Sequence, residues 1–220
     1  MNKRKWIALL LTLALALSAV PALAQTVSPI PSTIDPQHLA HQEYCAGIQG
    51  YDAAANTIAV TLYEPETFLP ADVEALAVGD TILCGGETVT VDKVTLDAER
   101  SYCYINEGAE EFAAGTLMLW HDADADVYRQ VRESDYTEWT PIATLTLEVP
   151  AELVLLDGID PDTGEMLDAP TPHNAAEFTE MLRQYEQEEL GVSFSTSNIY
   201  VLFDEINQPV VVRRFYVPWQ

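Results

Sequence analysis

Thr81-Ile82-Leu83-Cys84-Gly85-Gly86-Glu87-Thr88-Val89-Thr90-Val91 is the stretch on which the fold turns. Two runs rich in β-branched residues flank a Gly-Gly pair. A two-residue hairpin loop needs positive φ at its centre, and glycine reaches it without steric cost. The stretch therefore predicts an antiparallel hairpin.

Working outward, the same texture recurs. Thr57 to Tyr63 alternates apolar and polar residues. Tyr102 to Asn106, Thr116 to Trp120, Val127 to Val131, Thr140 to Val149 and Glu152 to Leu156 are further strand candidates. Ser193 to Phe203 and Val210 to Val217 predict a C-terminal hairpin turning near Asn207-Gln208. Short strands broken by turn residues point away from alternating βαβ units. His38 to Gly47 reads as a short helix or turn, Leu69 to Leu76 as a helical turn, and Asp157 to Pro172 as a loop. One longer helix is expected over about 174–190. Its start is either Thr171-Pro172, as N-cap and first-turn proline, or Asn174 with Glu177 three residues on as a capping box, and Phe178, Met181, Leu182 and Tyr185 make one apolar stripe. Gly191 is placed to end it. The class is α+β and β-rich: an antiparallel meander or barrel-like sheet with one amphipathic helix and a C-terminal hairpin.

Residues 1–24 read as a secretory signal peptide. Lys3, Arg4 and Lys5 precede an apolar run from Trp6 to Val20, Pro21 breaks it, and Ala22-Leu23-Ala24 forms a small-x-small cleavage site before Gln25. The run is shorter than the roughly 20 residues that a membrane span needs. An uncleaved signal, tethering the domain to the outer face of the membrane, is the alternative. Residues 25–37, with Pro29, Pro31 and Pro36, read as an extended linker, and 38–220 as a single globular domain. The expected localisation is secreted, from a bacterial-type export signal.

Removing Lys3, Arg4 and Lys5 from the ten Lys and Arg leaves seven against 35 Asp and Glu, a formal charge of −28. Such a surface repels phosphate backbones and anionic bilayers, which argues against nucleic-acid and membrane partners. It is compatible with cationic ligands. Three cysteines, Cys45, Cys84 and Cys103, leave at least one unpaired within a single chain. Cys84–Cys103 is the candidate disulfide, set against burial of all three as small apolar residues.

Asp122, Asp124 and Asp126 alternate as in a calcium loop, and Glu133 stands at position 12, where the helix–loop–helix motif places its bidentate carboxylate. Position 6 is Val127 where that motif needs glycine, and the preceding residues read as a strand. A solvated turn accounts for the pattern better, and Ca²⁺ stays a candidate cofactor. Asp160, Asp162 and Gly164 form a second acidic turn of the same ambiguity. His38, His41, Glu43 and Cys45 match no established zinc spacing. There is no Gly-x-Ser-x-Gly elbow, His-Glu-x-x-His pair or phosphate-binding glycine loop. Arg213 and Arg214 should point to opposite faces of a strand, one of them pairing with Asp204 or Glu205, the alternative being an anion or carboxylate contact in a pocket. The aromatics Tyr200, Phe203, Phe215, Tyr216 and Trp219, with Trp120 and Trp139, are candidates for a sugar- or peptide-binding groove. The expected function is a secreted, non-enzymatic binding or interaction domain. The alternatives are a secreted hydrolase with a carboxylate acid/base pair and a Ca²⁺-stabilised extracellular structural domain.

Overall fold

The structure, a computed structural model, describes residues 24–106, 115–131, 137–160, 163–185, 194 and 199–215. In chain order the strands are β1 (Thr26–Val27), β2 (Glu43–Asp52), β3 (Thr57–Glu64), β4 (Thr67–Phe68), β5 (Thr81–Cys84), β6 (Glu87–Thr90), β7 (Val94–Leu96), β8 (Tyr102–Ile105), β9 (Leu117–Asp122), β10 (Val127–Val131), β11 (Thr140–Glu148), β12 (Val154–Ile159), β13 (Met166–Asn174), β14 (Ile199–Phe203) and β15 (Pro209–Arg214). Helix α1 (Pro70–Glu74) is one short turn, and α2 (Ala175–Tyr185) is the amphipathic helix. The fold is α+β and β-rich, and its sheets are largely antiparallel.

Three sheets form, and none closes into a barrel. Their orders are β1-β5-β6, β4-β10-β9-β8-β7 and β11-β3-β2-β14-β15-β12-β13. Gly85 and Gly86 take φ of 60° and 78° between β5 and β6, as their hairpin requires. The two smaller sheets share a core of Val27, Phe68, Val73, Ile82, Val91, Ile105, Leu119 and Tyr128, among others. The large sheet buries a second core with α2. Ala46, Ile48, Ile58, Val60, Leu62, Leu155, Ile199, Val201 and Val212 point inward from the strands and meet Phe178 and Leu182 of the helix. The Asn174 capping box is made: its Oδ1 accepts from the N–H groups of Ala176 and Glu177, and Glu177 Oε2 accepts from Asn174 N–H. Residues 186–190 and Gly191 lie outside the described residues.

Acidic residues punctuate the turns. Asp52 Oδ1 accepts from the N–H groups of Ala54 and Ala55, and Asn56 closes the loop at φ 53°. Asp122 does the same for Asp124 and Ala125, with Asp126 at φ 53°. Asp204 Oδ1 accepts from the N–H groups of Ile206 and Gln208, on either side of Asn207 at φ 63°. Part of the chain's negative charge thus serves its turns.

Two expectations are corrected. Glu43 to Gly47 belongs to β2, not to a helix or turn, because β3 and β14 pair with it on both sides and override its weak local preference. Asp157 to Pro172, expected as loop, instead supplies the end of β12 (residues 157–159) and most of strand β13 (Met166–Asn174), so Thr171 and Pro172 are strand residues and not a helix start. Strand β13 lies at the edge of the large sheet, is mostly exposed, and contains Pro170 and Pro172, so it lacks any alternating apolar signal. Within residues 25–37, Thr26 and Val27 pair with Thr81 and Ile82 of β5, and Val27 is buried.

Candidate functional site

The site grows from strand alternation. Arg213 and Arg214 are adjacent in β15 and so face opposite sides of the large sheet. Neither pairs with Asp204 or Glu205. Arg214 turns inward, where β12 runs parallel to β15 and sets Asp157 beside it. Its Nε and Nη2 donate to Asp157 Oδ1 and Oδ2 at 2.8 and 2.5 Å. Asp157 Oδ1 also accepts from Ile159 N–H at 3.1 Å, and the Phe194 ring lies 4.3 Å from the guanidinium carbon. Asp157 and Arg214 are 1% and 2% exposed. The sheet can close here only over glycine: a Cβ on Gly158 would stand 2.8 Å from the Arg214 carbonyl oxygen.

Arg213 turns outward. The strand registers place Tyr63, Cys45, Tyr200, Arg213, Leu156 and Pro172 in one row across six strands. Arg213 holds Glu43 with two bonds, Nε to Oε1 at 2.7 Å and Nη2 to Oε2. Its guanidinium carbon lies 5.7 Å from the Tyr200 ring, and Tyr200 stacks on Phe215 with centroids 5.0 Å apart and planes 23° apart. Burial raises the Tyr200 hydroxyl above its ordinary pKa; Cys45 and Glu43 add to the rise and Arg213 opposes it.

Leu156, Tyr200 and Arg213 of this row line a groove of about 310 Å³. Leu156, Gly158, Met166, Leu167, Pro170, Tyr200 and Phe215 form most of its wall, with Arg213 and Arg214 completing it. The lining is mostly apolar and aromatic, with the outward Arg213 guanidinium as its charged group. It includes no carboxylate, histidine, thiol or aliphatic hydroxyl among the described residues, so its chemistry is that of apolar contact and ring stacking.

The other sequence candidates fall elsewhere. Asp122, Asp124 and Asp126 span the β9–β10 turn. Asp122 is engaged by its own loop and by Arg129 at 2.8 Å, and Asp126 approaches His121 at 3.3 Å. Glu133 and Asp162 lie outside the described residues. Among the described residues no three His, Cys, Asp or Glu side chains gather as a metal site. His38 binds Asp35 in an exposed turn, while Glu43 is taken by Arg213 and Cys45 is buried in β2. Cys84 and Cys103 lie in β5 and β8 of different sheets; all three cysteines are buried free thiols, with Cys84 Sγ donating to Gln130 Oε1. Burial pushes the Cys45 thiol up to about 12 and that of Cys103 up to about 11.

Of the aromatic candidates, Tyr200 and Phe215 line the groove and Phe203 is core. Trp120 and Trp139 are half-buried, and Tyr216 and Trp219 lie outside the described residues. Leu156, Met166, Leu167 and Pro170 escaped sequence reasoning, because only the parallel β12–β15 pairing and an edge strand bring them to Tyr200. No helix among the described residues is long and apolar enough to cross a membrane. The chain matches no family model, no curated protein and no solved structure.

Proposed function

We propose that this chain is an exported, non-enzymatic binding domain whose ligand is a peptide segment. An apolar or aromatic side chain seats in the groove, and basic residues flank it. The observation that carries this reading is the stacked Tyr200–Phe215 pair in a largely apolar groove whose lining, among the described residues, holds no carboxylate, histidine or thiol. Export is supported by the signal pattern of residues 1–24. The peptide's basic flanks are supported by the charge balance, which steers cations toward the domain. A groove of this size holds one large side chain, worth about 1.5–3 kcal/mol of burial; that contact alone corresponds to a Kd of several millimolar or weaker, and the flanking residues add to it.

Titration calorimetry with short synthetic peptides tests this. A Trp-centred peptide with Lys flanks should bind more tightly than its Glu-flanked or Ala-centred counterparts, and added salt should weaken it. Tyr200→Ala should reduce that affinity about tenfold while leaving the circular dichroism spectrum unchanged. Equal affinity for the Trp- and Ala-centred peptides, or for wild type and Tyr200→Ala, refutes the groove as the binding site.

A further inference from the structure

The residue that follows the candidate cleavage site is docked on a buried carboxylate. Gln25 N–H donates to Asp80 Oδ1 at 2.9 Å, and Gln25 C=O accepts from Thr81 N–H at 2.9 Å. One residue on, the Thr26 and Thr81 hydroxyls meet at 2.8 Å; the next, Val27, enters the core of the smaller sheets. Asp80 is itself fixed. Its Oδ2 accepts from Ala77 N–H at 2.8 Å, its N–H donates to Ala77 C=O at 3.0 Å, and its C=O accepts from Val91 N–H at 2.8 Å. These contacts hold the carboxylate still, facing the nitrogen of Gln25.

That nitrogen changes character when the chain is cut after Ala24. Hydrolysis adds water across the Ala24–Gln25 peptide bond: the carboxylate leaves with Ala24, and the amine stays on Gln25. A neutral amide N–H becomes an α-ammonium, cationic below its ordinary pKa of about 8. We propose that Asp80 is the docking site for the new N-terminus, so that export processing converts a neutral hydrogen bond into an ion pair and clamps β1 onto β5. The inference rests on the reading that residues 1–24 are a removed signal peptide.

Three observations support it. The carboxylate is nearly covered by protein, where a charge-assisted bond is stronger than at an open surface. The Gln25 side is exposed, so the same geometry admits both the precursor's preceding residue and the mature amine. The N–H groups of Gln25 and Ala77 already hold the Asp80 carboxyl below its usual pKa, so it is ionised and ready to receive a cation. Docking also has a chemical consequence. An N-terminal glutamine cyclises when its free amine attacks its own side-chain amide carbon and ammonia leaves. An amine kept protonated on Asp80 has no lone pair for that attack.

The experiment compares protein beginning at Gln25 with protein beginning at Ala24, each as wild type and as Asp80→Asn. Thermal melting and mass spectrometry are the readouts. The Gln25 form should melt several degrees above the Ala24 form. Asp80→Asn should erase that gap and speed the loss of ammonia from Gln25. Acetylating Gln25 reports the same loss of charge without altering Asp80, should that variant fail to fold. Equal melting of the two wild-type forms, or a gap that survives in Asp80→Asn, overturns the docking. N-terminal sequencing of protein recovered from the medium is a separate measurement: a start other than Gln25 refutes the cleavage reading, while the docking comparison stands on protein prepared with the defined start.

Discussion

Removing one member of the Asp157–Arg214 pair should destabilise the domain far more than removing both. At 2.5–2.8 Å, and with an effective dielectric of about 20, the two charges attract by roughly 6 kcal/mol. Desolvation of two groups that are 1% and 2% exposed opposes this by several kcal/mol each, so the intact pair nets little. Arg214→Met deletes the cation and leaves Asp157 with Ile159 N–H as its donor among the described residues. Asp157→Leu removes the two carboxylate oxygens that accept from the buried Arg214 guanidinium. Each single change should cost about 3–5 kcal/mol. Asp157→Leu with Arg214→Met should return to within about 2 kcal/mol of wild type, the coupling being the shortfall from additivity. Urea denaturation followed by tryptophan fluorescence measures all four corners of the cycle. Single-variant losses below about 1 kcal/mol, or a double variant whose loss is the sum of the singles, refute the reasoning.

Gly158→Ala drives a methyl group to 2.8 Å from a backbone oxygen and should cost about 1–3 kcal/mol, whereas Gly50→Ala, with open space around it, should be near neutral in the same denaturation assay. Asn174→Ala removes the acceptor for two helix N–H groups and should cost about 1 kcal/mol, seen as a lower urea midpoint at unchanged slope. With Cys45 and Cys103 raised to about 12 and 11, thiol reagents at pH 8 should label the native protein only after denaturant is added; rapid native labelling contradicts their burial. The Asp80 carboxyl has a lowered folded-state pKa, so its stabilisation is present above the ordinary value of 3.8 and is lost as pH falls through the folded value. Asp80→Asn should therefore flatten the acid limb of stability against pH, and an unchanged limb counts against its hydrogen bonding.

The parts legible in the sequence were those with local causes. The glycine pair between Cys84 and Glu87, the capping box at Asn174 and the alternation from Thr57 carry their geometry in a few neighbouring residues. The site was legible only in fragments. Tyr200 and Phe215 could be suspected as aromatics and Arg213 as a scarce cation, but Glu43 is 170 residues from its partner. The inward ion pair spans 57 residues and depends on a parallel contact that no periodicity announces. Strand β13 stayed hidden because exposure on most of its length erases the pattern by which a strand is recognised, and prolines at 170 and 172 read as loop. For the three cysteines, the sequence left pairing and burial both open, since thiol spacing does not reveal which sheet each strand joins.

Those two prolines of β13 have a consequence for behaviour in crowded solution. An exposed sheet margin is a template on which another chain can add a strand and start a fibre. Pro170 and Pro172 carry no N–H, and proline at a sheet margin turns its missing donor toward solvent. A second copy approaching along β13 meets gaps where the backbone ladder would have to continue. The border of the groove is thereby a poor seed for polymerisation.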